Sequence, residues 1–85
     1  MKNAEVGKIL EDIADLLETK GENPFKIRAY RKAARSIEQL PVEVEVLVKE
    51  ERLKEIPGVG EAISKKITEL VTTGRLEYYE KLRLT

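Results

Sequence analysis

The stretch Leu53-Lys54-Glu55-Ile56-Pro57-Gly58-Val59-Gly60-Glu61-Ala62-Ile63-Ser64-Lys65-Lys66-Ile67 constrains this chain more than any other. Pro-Gly-Val-Gly is a turn between two apolar-periodic segments, because proline fixes φ while glycine accepts φ > 0 and leaves no side chain in the way of a close approach. A helix opening at about Gly60 leaves its first N–H groups without intrahelical partners, and its dipole adds roughly half a positive charge there. Gly58, Val59 and Gly60 therefore read as the wall of an anion site suited to a phosphate, with Lys65 a nearby cation pointing away from the apolar stripe. The same letters also spell an ordinary αα-turn with Pro and Gly as punctuation.

Composition narrows the chemistry. At 85 residues the chain makes one domain, residues 1–85, too small for a two-lobed enzyme cleft. It has no Cys and no His, which excludes disulfides, thiol chemistry, the usual zinc sites and imidazole catalysis. Any reaction must use Lys, Tyr, Ser or carboxylates. The chain lacks an apolar run of membrane-spanning length and a signal-peptide pattern, so a cytoplasmic location and no membrane partner are expected. Lys plus Arg and Asp plus Glu number 16 each, so any binding to a polyanion must come from local patches rather than net charge.

Apolar periodicity predicts an all-α fold, a compact bundle of four to five short helices. Val6, Ile9, Leu10, Ile13, Leu16 and Leu17 mark a first helix, with Asn3 as its cap and Gly21 as its end. Asn23-Pro24 reads as N-cap and N1 of a second helix running to about Leu40, before Pro41. Ile27, Tyr30, Ala33, Ala34 and Ile37 share one face of it, and Arg28, Arg31, Lys32 and Arg35 lie on the other. That stripe is either a phosphate-tracking face or a solvated basic surface. Val42 to Val48 alternates like a strand but has no second run to pair with, so a helix with Pro41 at N1 is expected. Ile63, Ile67, Leu70 and Val71 define the helix after the hairpin, ending at Thr73-Gly74, and Leu76, Tyr79 and Leu82 define a last one.

Two lysines fall off the solvated faces. Lys26 projects on the apolar side one turn before Tyr30, either walling a phosphate pocket or snorkelling over a core tyrosine. Lys66 lies at the margin of the buried stripe, where partial desolvation favours the free amine and makes a nucleophile. A snorkelling boundary lysine fits the same spacing.

Three stretches together carry a resemblance: Leu17-Glu18-Thr19-Lys20-Gly21-Glu22-Asn23-Pro24-Phe25, Arg28-Ala29-Tyr30-Arg31-Lys32-Ala33-Ala34, and Ile56-Pro57-Gly58-Val59-Gly60 followed by Thr73-Gly74-Arg75-Leu76. From about Asn3 to Leu82 the chain resembles the N-terminal helix-hairpin-helix domain of family X DNA polymerases, the polymerase β-like lyase domain, in its bacterial and archaeal form. Leu53, Ile56, Val59, Ile63 and Ile67 fall where the hairpin motif has apolar residues. The resemblance implies binding to gapped or nicked DNA through backbone phosphates in repair, beside a polymerase core or other repair proteins. It also implies a deoxyribose-phosphate lyase in which Lys66 forms the Schiff base, with Lys26 and Tyr30 at the 5′-phosphate. The backbone carbonyls of Lys54, Ile56 and Val59 match those that hold Na+ or K+ between hairpin and DNA; no other cofactor is implied. Two further pocket lysines of the family are Ala62 and Tyr78 here, and a stacking histidine is Phe25, still able to stack on a base. A binding module is the leading expectation, with a weak lyase and a protein-interaction bundle as the rivals.

Overall fold

The computed structural model describes Met1–Thr85 as five α-helices with no strand: α1 (Asn3–Thr19), α2 (Pro24–Glu38), α3 (Val44–Lys49), α4 (Glu61–Thr73) and α5 (Glu77–Leu84). A single 3-10 turn at Leu53–Glu55 leads into the Pro-Gly-Val-Gly segment. The all-α expectation holds.

Helices α1 and α2 form an antiparallel hairpin, with Gly7 against Glu38 at one end and Asp15 beside Arg31 nearer the other. The connection is short because both of its ends are capped. Gly21 takes φ 70, and its N–H and that of Glu22 return to Glu18 and Leu17 carbonyls. The Asn23 side chain then accepts from the Phe25 N–H at 2.8 Å while Pro24 occupies N1, where no N–H is needed. Val6, Leu10, Ile13 and Leu17 of α1 meet Ile27, Tyr30, Ala33, Ala34 and Ile37 of α2 in one core, which Val44, Ile67, Leu70 and Leu76 complete. Each large aliphatic chain buried there contributes roughly 1.5–3 kcal/mol. The core holds no charged residue.

Two local expectations are corrected. Asn3 is the first residue of α1 rather than its cap; the cap position is Lys2, whose backbone N–H donates to the Glu5 carboxylate at 2.9 Å. The Asn3 amide instead reaches the start of α3, donating to the Val42 carbonyl and accepting from the Val44 N–H, both at 2.7 Å. Asn3 thus caps a helix, but a different one. That tether holds residues 40–43 out of helical geometry, so α3 starts after Glu43 and Pro41 is not its N1 residue. At its far end α3 stops on Glu51, which adopts φ 55 while the Arg52 N–H bonds back to Leu47. No helix is long and apolar enough to cross a membrane.

Candidate nucleic-acid interface

Pro57 and Gly58 occupy the centre of a tight turn that the Val59 N–H closes onto the Ile56 carbonyl at 3.0 Å. Proline followed by a residue of positive φ, here Gly58 at 88, is the pattern of a type II turn. Leu53, Ile56 and Val59 anchor the segment in the core. The two glycines have different reasons to be there. At Gly58 a Cβ would lie 2.9 Å from Lys32 Cγ and 3.1 Å from the Ala33 nitrogen, so the turn is pressed against α2. Gly60 is extended, at φ −97 and ψ −166, and a Cβ there would meet nothing within 4 Å. Only Gly58 needs the conformational freedom of glycine; at Gly60 the missing side chain leaves the approach to α4 open.

That approach ends on bare backbone. The N–H groups of Gly60, Glu61, Ala62 and Ile63 have no acceptor within the chain, and the first helical bond of α4 runs from Ser64 to the Gly60 carbonyl at 2.9 Å. Glu61 shares this first turn, but its carboxylate is ion-paired with Lys54 across the hairpin, and this hydrogen-bonded pairing holds it below the usual carboxylate range. The Lys54 and Val59 carbonyls accept no hydrogen bond, and the Ile56 carbonyl has one lone pair beyond its bond to Val59. No cluster of carboxylates forms a side-chain metal centre.

Beside the hairpin a cleft of about 390 Å³ brings together Lys26 and Tyr30 of α2, Gly58 and Gly60, and Ala62 and Lys66 of α4. Tyr30 is 2% exposed, and burial, with Tyr78 next to it, pushes its phenol upward. Tyr78 at the start of α5 stacks on Tyr30, with ring centroids 6.3 Å apart and planes 10° from parallel. The Lys66 ammonium lies 4.6 Å from the Tyr78 ring centre and that of Lys26 lies 5.4 Å from it. Burial, and then the nearby Lys26 charge, lower the Lys66 amine below its ordinary value, with Glu69 partly opposing them. A second cleft, of about 320 Å³, lies on the Lys54, Glu61 and Ser64 side of α4, and Glu51 brings a second carboxylate to it.

The family model described as a helix-hairpin-helix domain matches residues 1–76. The chain belongs to that family. This helix-hairpin-helix domain is 32% identical over 83 residues to the DNA polymerase/3'-5' exonuclease PolX of Bacillus subtilis (strain 168), a match covering 98% of the chain and 14% of that protein. It is also 32% identical over 78 residues to DNA polymerase lambda of Arabidopsis thaliana, covering 92% of the chain and 14% of the relative. The chain therefore spans a small part of the length of the curated relatives it matches, and the expected likeness to family X polymerases is found.

Around the cleft the helix-hairpin-helix domain divides the basic residues foreseen from periodicity. Arg28, Lys32 and Arg35 are exposed on α2 and form no ion pair. Arg28 lies 4.8 Å from the ring centre of Phe25, itself 73% exposed. Arg31 leaves the stripe. Its guanidinium turns to α1 and binds Glu11 at 2.5 Å, Asp15 at 2.9 Å and Glu18 at 3.0 Å. A single-helix projection cannot show this, because the three carboxylates belong to the neighbouring helix. Lys65 is exposed on α4, away from the cleft. Tyr78 is the residue that sequence reasoning undervalued: as a lost cation it looked like a deficit, whereas its ring faces both cleft lysines. Its sequence neighbour Leu76, buried at 2%, is the signal that this segment folds back onto the core.

Proposed function

We propose that this domain is a sequence-independent DNA-binding module that takes gapped or nicked DNA by its backbone phosphates, as part of repair. The observation that carries the reading is the convergence of unpartnered α4 N–H groups, Lys26 and Lys66 at one cleft, bordered by a glycine that leaves the approach open. Backbone N–H groups and ammonium ions bind phosphate oxygens without reading bases. Arg28, Lys32 and Arg35 extend the positive surface along α2, and Phe25 offers a face on which an unpaired base can stack. The free carbonyl oxygens of Lys54 and Val59, with Ile56, suit a hard monovalent cation such as Na+ or K+. Such an ion would supply charge neutralisation between the hairpin and a phosphate. Both named relatives are DNA polymerases, so a polymerase core or other repair proteins are the partners this reading gives the module. Fluorescence titration with gapped DNA bearing or lacking a 5′-phosphate tests it. Tighter, salt-sensitive binding of the phosphorylated gap is expected; absence of binding would instead favour a protein-interaction bundle, and equal affinity would remove the cleft as the phosphate site.

A second reading, deoxyribose-phosphate lyase activity, is favoured by one observation, the lowered basicity of the half-buried Lys66 amine. The amine nitrogen would add to C1′ of the sugar aldehyde and lose water to give a Schiff base. Loss of a C2′ proton to water then breaks the C3′–O bond, leaving a 5′-phosphate on the DNA, and hydrolysis restores the amine. Borohydride trapping on an abasic sugar phosphate should give an adduct with the unsubstituted chain and none with Lys66→Ala. An equal yield from both would end the reading.

A further inference from the structure

Lys26 and Lys66 come from different helices, yet neither is paired with a carboxylate, and both ammonium groups stand over one aromatic ring. Two like charges sharing a cleft repel, and the π face of Tyr78 is a source of negative potential that attracts a cation at these distances. That ring is itself fixed on two sides. It is stacked almost parallel on the buried Tyr30, and it follows Leu76, which is locked in the core.

We infer that Tyr78 is a positioning residue for the cleft: its ring gathers the Lys26 and Lys66 ammonium groups side by side and sets how readily Lys66 gives up its proton. The groups facing Lys66 act in opposite directions. From α2, the Lys26 charge favours the neutral amine, while the buried Tyr30 phenol stays protonated and uncharged. From α4, Glu69 favours the ammonium, and Glu61 at the far wall is already paired with Lys54. From α5, the Tyr78 ring favours the ammonium and so restrains the effects of burial and Lys26. The ring quadrupole, not the hydroxyl, does this, so phenylalanine should serve as well. A role limited to filling space makes a different forecast: a smaller side chain would admit water and raise the basicity of Lys66.

The test uses the full chain without DNA, so its outcome is independent of the DNA titration. Lysines are dimethylated with carbon-13 formaldehyde and a borane reductant, the Lys66 and Lys26 signals are assigned with Lys66→Arg and Lys26→Arg, and each is followed against pH by NMR. Tyr78→Leu should lower the Lys66 midpoint by about half a unit, and Tyr78→Phe should leave it in place. In the unsubstituted protein the Lys66 N-methyl protons should be shifted upfield by the ring. A midpoint in Tyr78→Leu equal to or above that of the unsubstituted chain would overturn the inference, as would Tyr78→Phe behaving like Tyr78→Leu. If Tyr78→Leu does not fold, absence of the upfield shift in the unsubstituted chain overturns it by itself.

Discussion

Alanine at Gly58 and alanine at Gly60, two positions apart in one turn, should have opposite consequences. At Gly58 the residue must hold φ 88, which costs an L-residue about 1–2 kcal/mol. The new methyl would also lie 3.1 Å from the Ala33 nitrogen, a backbone atom inside α2 that cannot swing aside as the Lys32 side chain can, and overpacking of this kind costs about 1–3 kcal/mol. Together these give about 2–5 kcal/mol, and because each kcal/mol moves the midpoint of a domain this size by roughly 4–8 °C, Tm should fall by at least about 8 °C. At Gly60 the backbone is extended and the space open. There the gain from restricting the unfolded chain, about 0.4–1 kcal/mol, is offset by the poorer capping of alanine, so Tm should barely move. On the proposed reading the methyl would narrow the open approach to the start of α4, and loss of one charge-assisted contact of about 1.5–3 kcal/mol corresponds to roughly tenfold or more in affinity. Thermal unfolding by circular dichroism and anisotropy with gapped DNA read the two effects separately. A Gly58→Ala protein as stable as the parent, or a Gly60→Ala protein that unfolds as early as Gly58→Ala, would refute the steric account of the turn.

Three further outcomes are expected. Single neutral substitutions of Arg28, Lys32 or Arg35 should each flatten the log–log salt dependence of DNA binding by roughly one unit, whereas Arg31→Ala should lower Tm and leave that slope unchanged, since Arg31 is bound to α1. Glu51→Gly, relieving φ 55 at the end of α3, should raise stability by about 1 kcal/mol in urea unfolding. Burial raises the phenols of Tyr30 and Tyr79, and a hydrogen bond of 2.9 Å to Asp12 adds to the effect at Tyr79. A raised folded value means the folded state keeps protons that the unfolded state has lost, so this stability is complete below the ordinary phenol value of 10.0 and is lost as pH rises above it. Denaturant midpoints measured upward from neutral pH should show that loss, and Tyr79→Phe should reduce it.

What the sequence disclosed depended on how far each residue's partner lies along the chain. Asn23, Pro24 and Gly74 act on atoms a few residues away, so the start of α2 and the end of α4 could be read from the letters alone. The buried faces of α2 and α4 followed from periodicity for the same reason, since a 3.6-residue repeat is a property of one helix. Asn3 misled because its partners are 39 and 41 positions away, at Val42 and Val44. Arg31 was placed with its helical neighbours, but its acids are on α1. Gly58 and Gly60 looked alike until the α2 backbone appeared beside one of them. Within the cleft, the positions of Lys26 on α2 and Lys66 on α4 were legible from periodicity, while the ring that both ammonium groups approach was hidden because stacking on Tyr30 is a tertiary event.

The contact of Gly58 with α2 also couples two surfaces that would otherwise be independent. Because the turn is seated against Lys32 and Ala33, the hairpin and the basic edge of α2 stand at a fixed separation. On the proposed reading, a DNA strand engaging the hairpin would find the next cation already at its distance, and the loss of freedom needed to hold the two together would have occurred during folding rather than at encounter. Such a domain would act as a ruler with its marks in place, and loosening that contact should weaken DNA binding at both marks even with every cation retained.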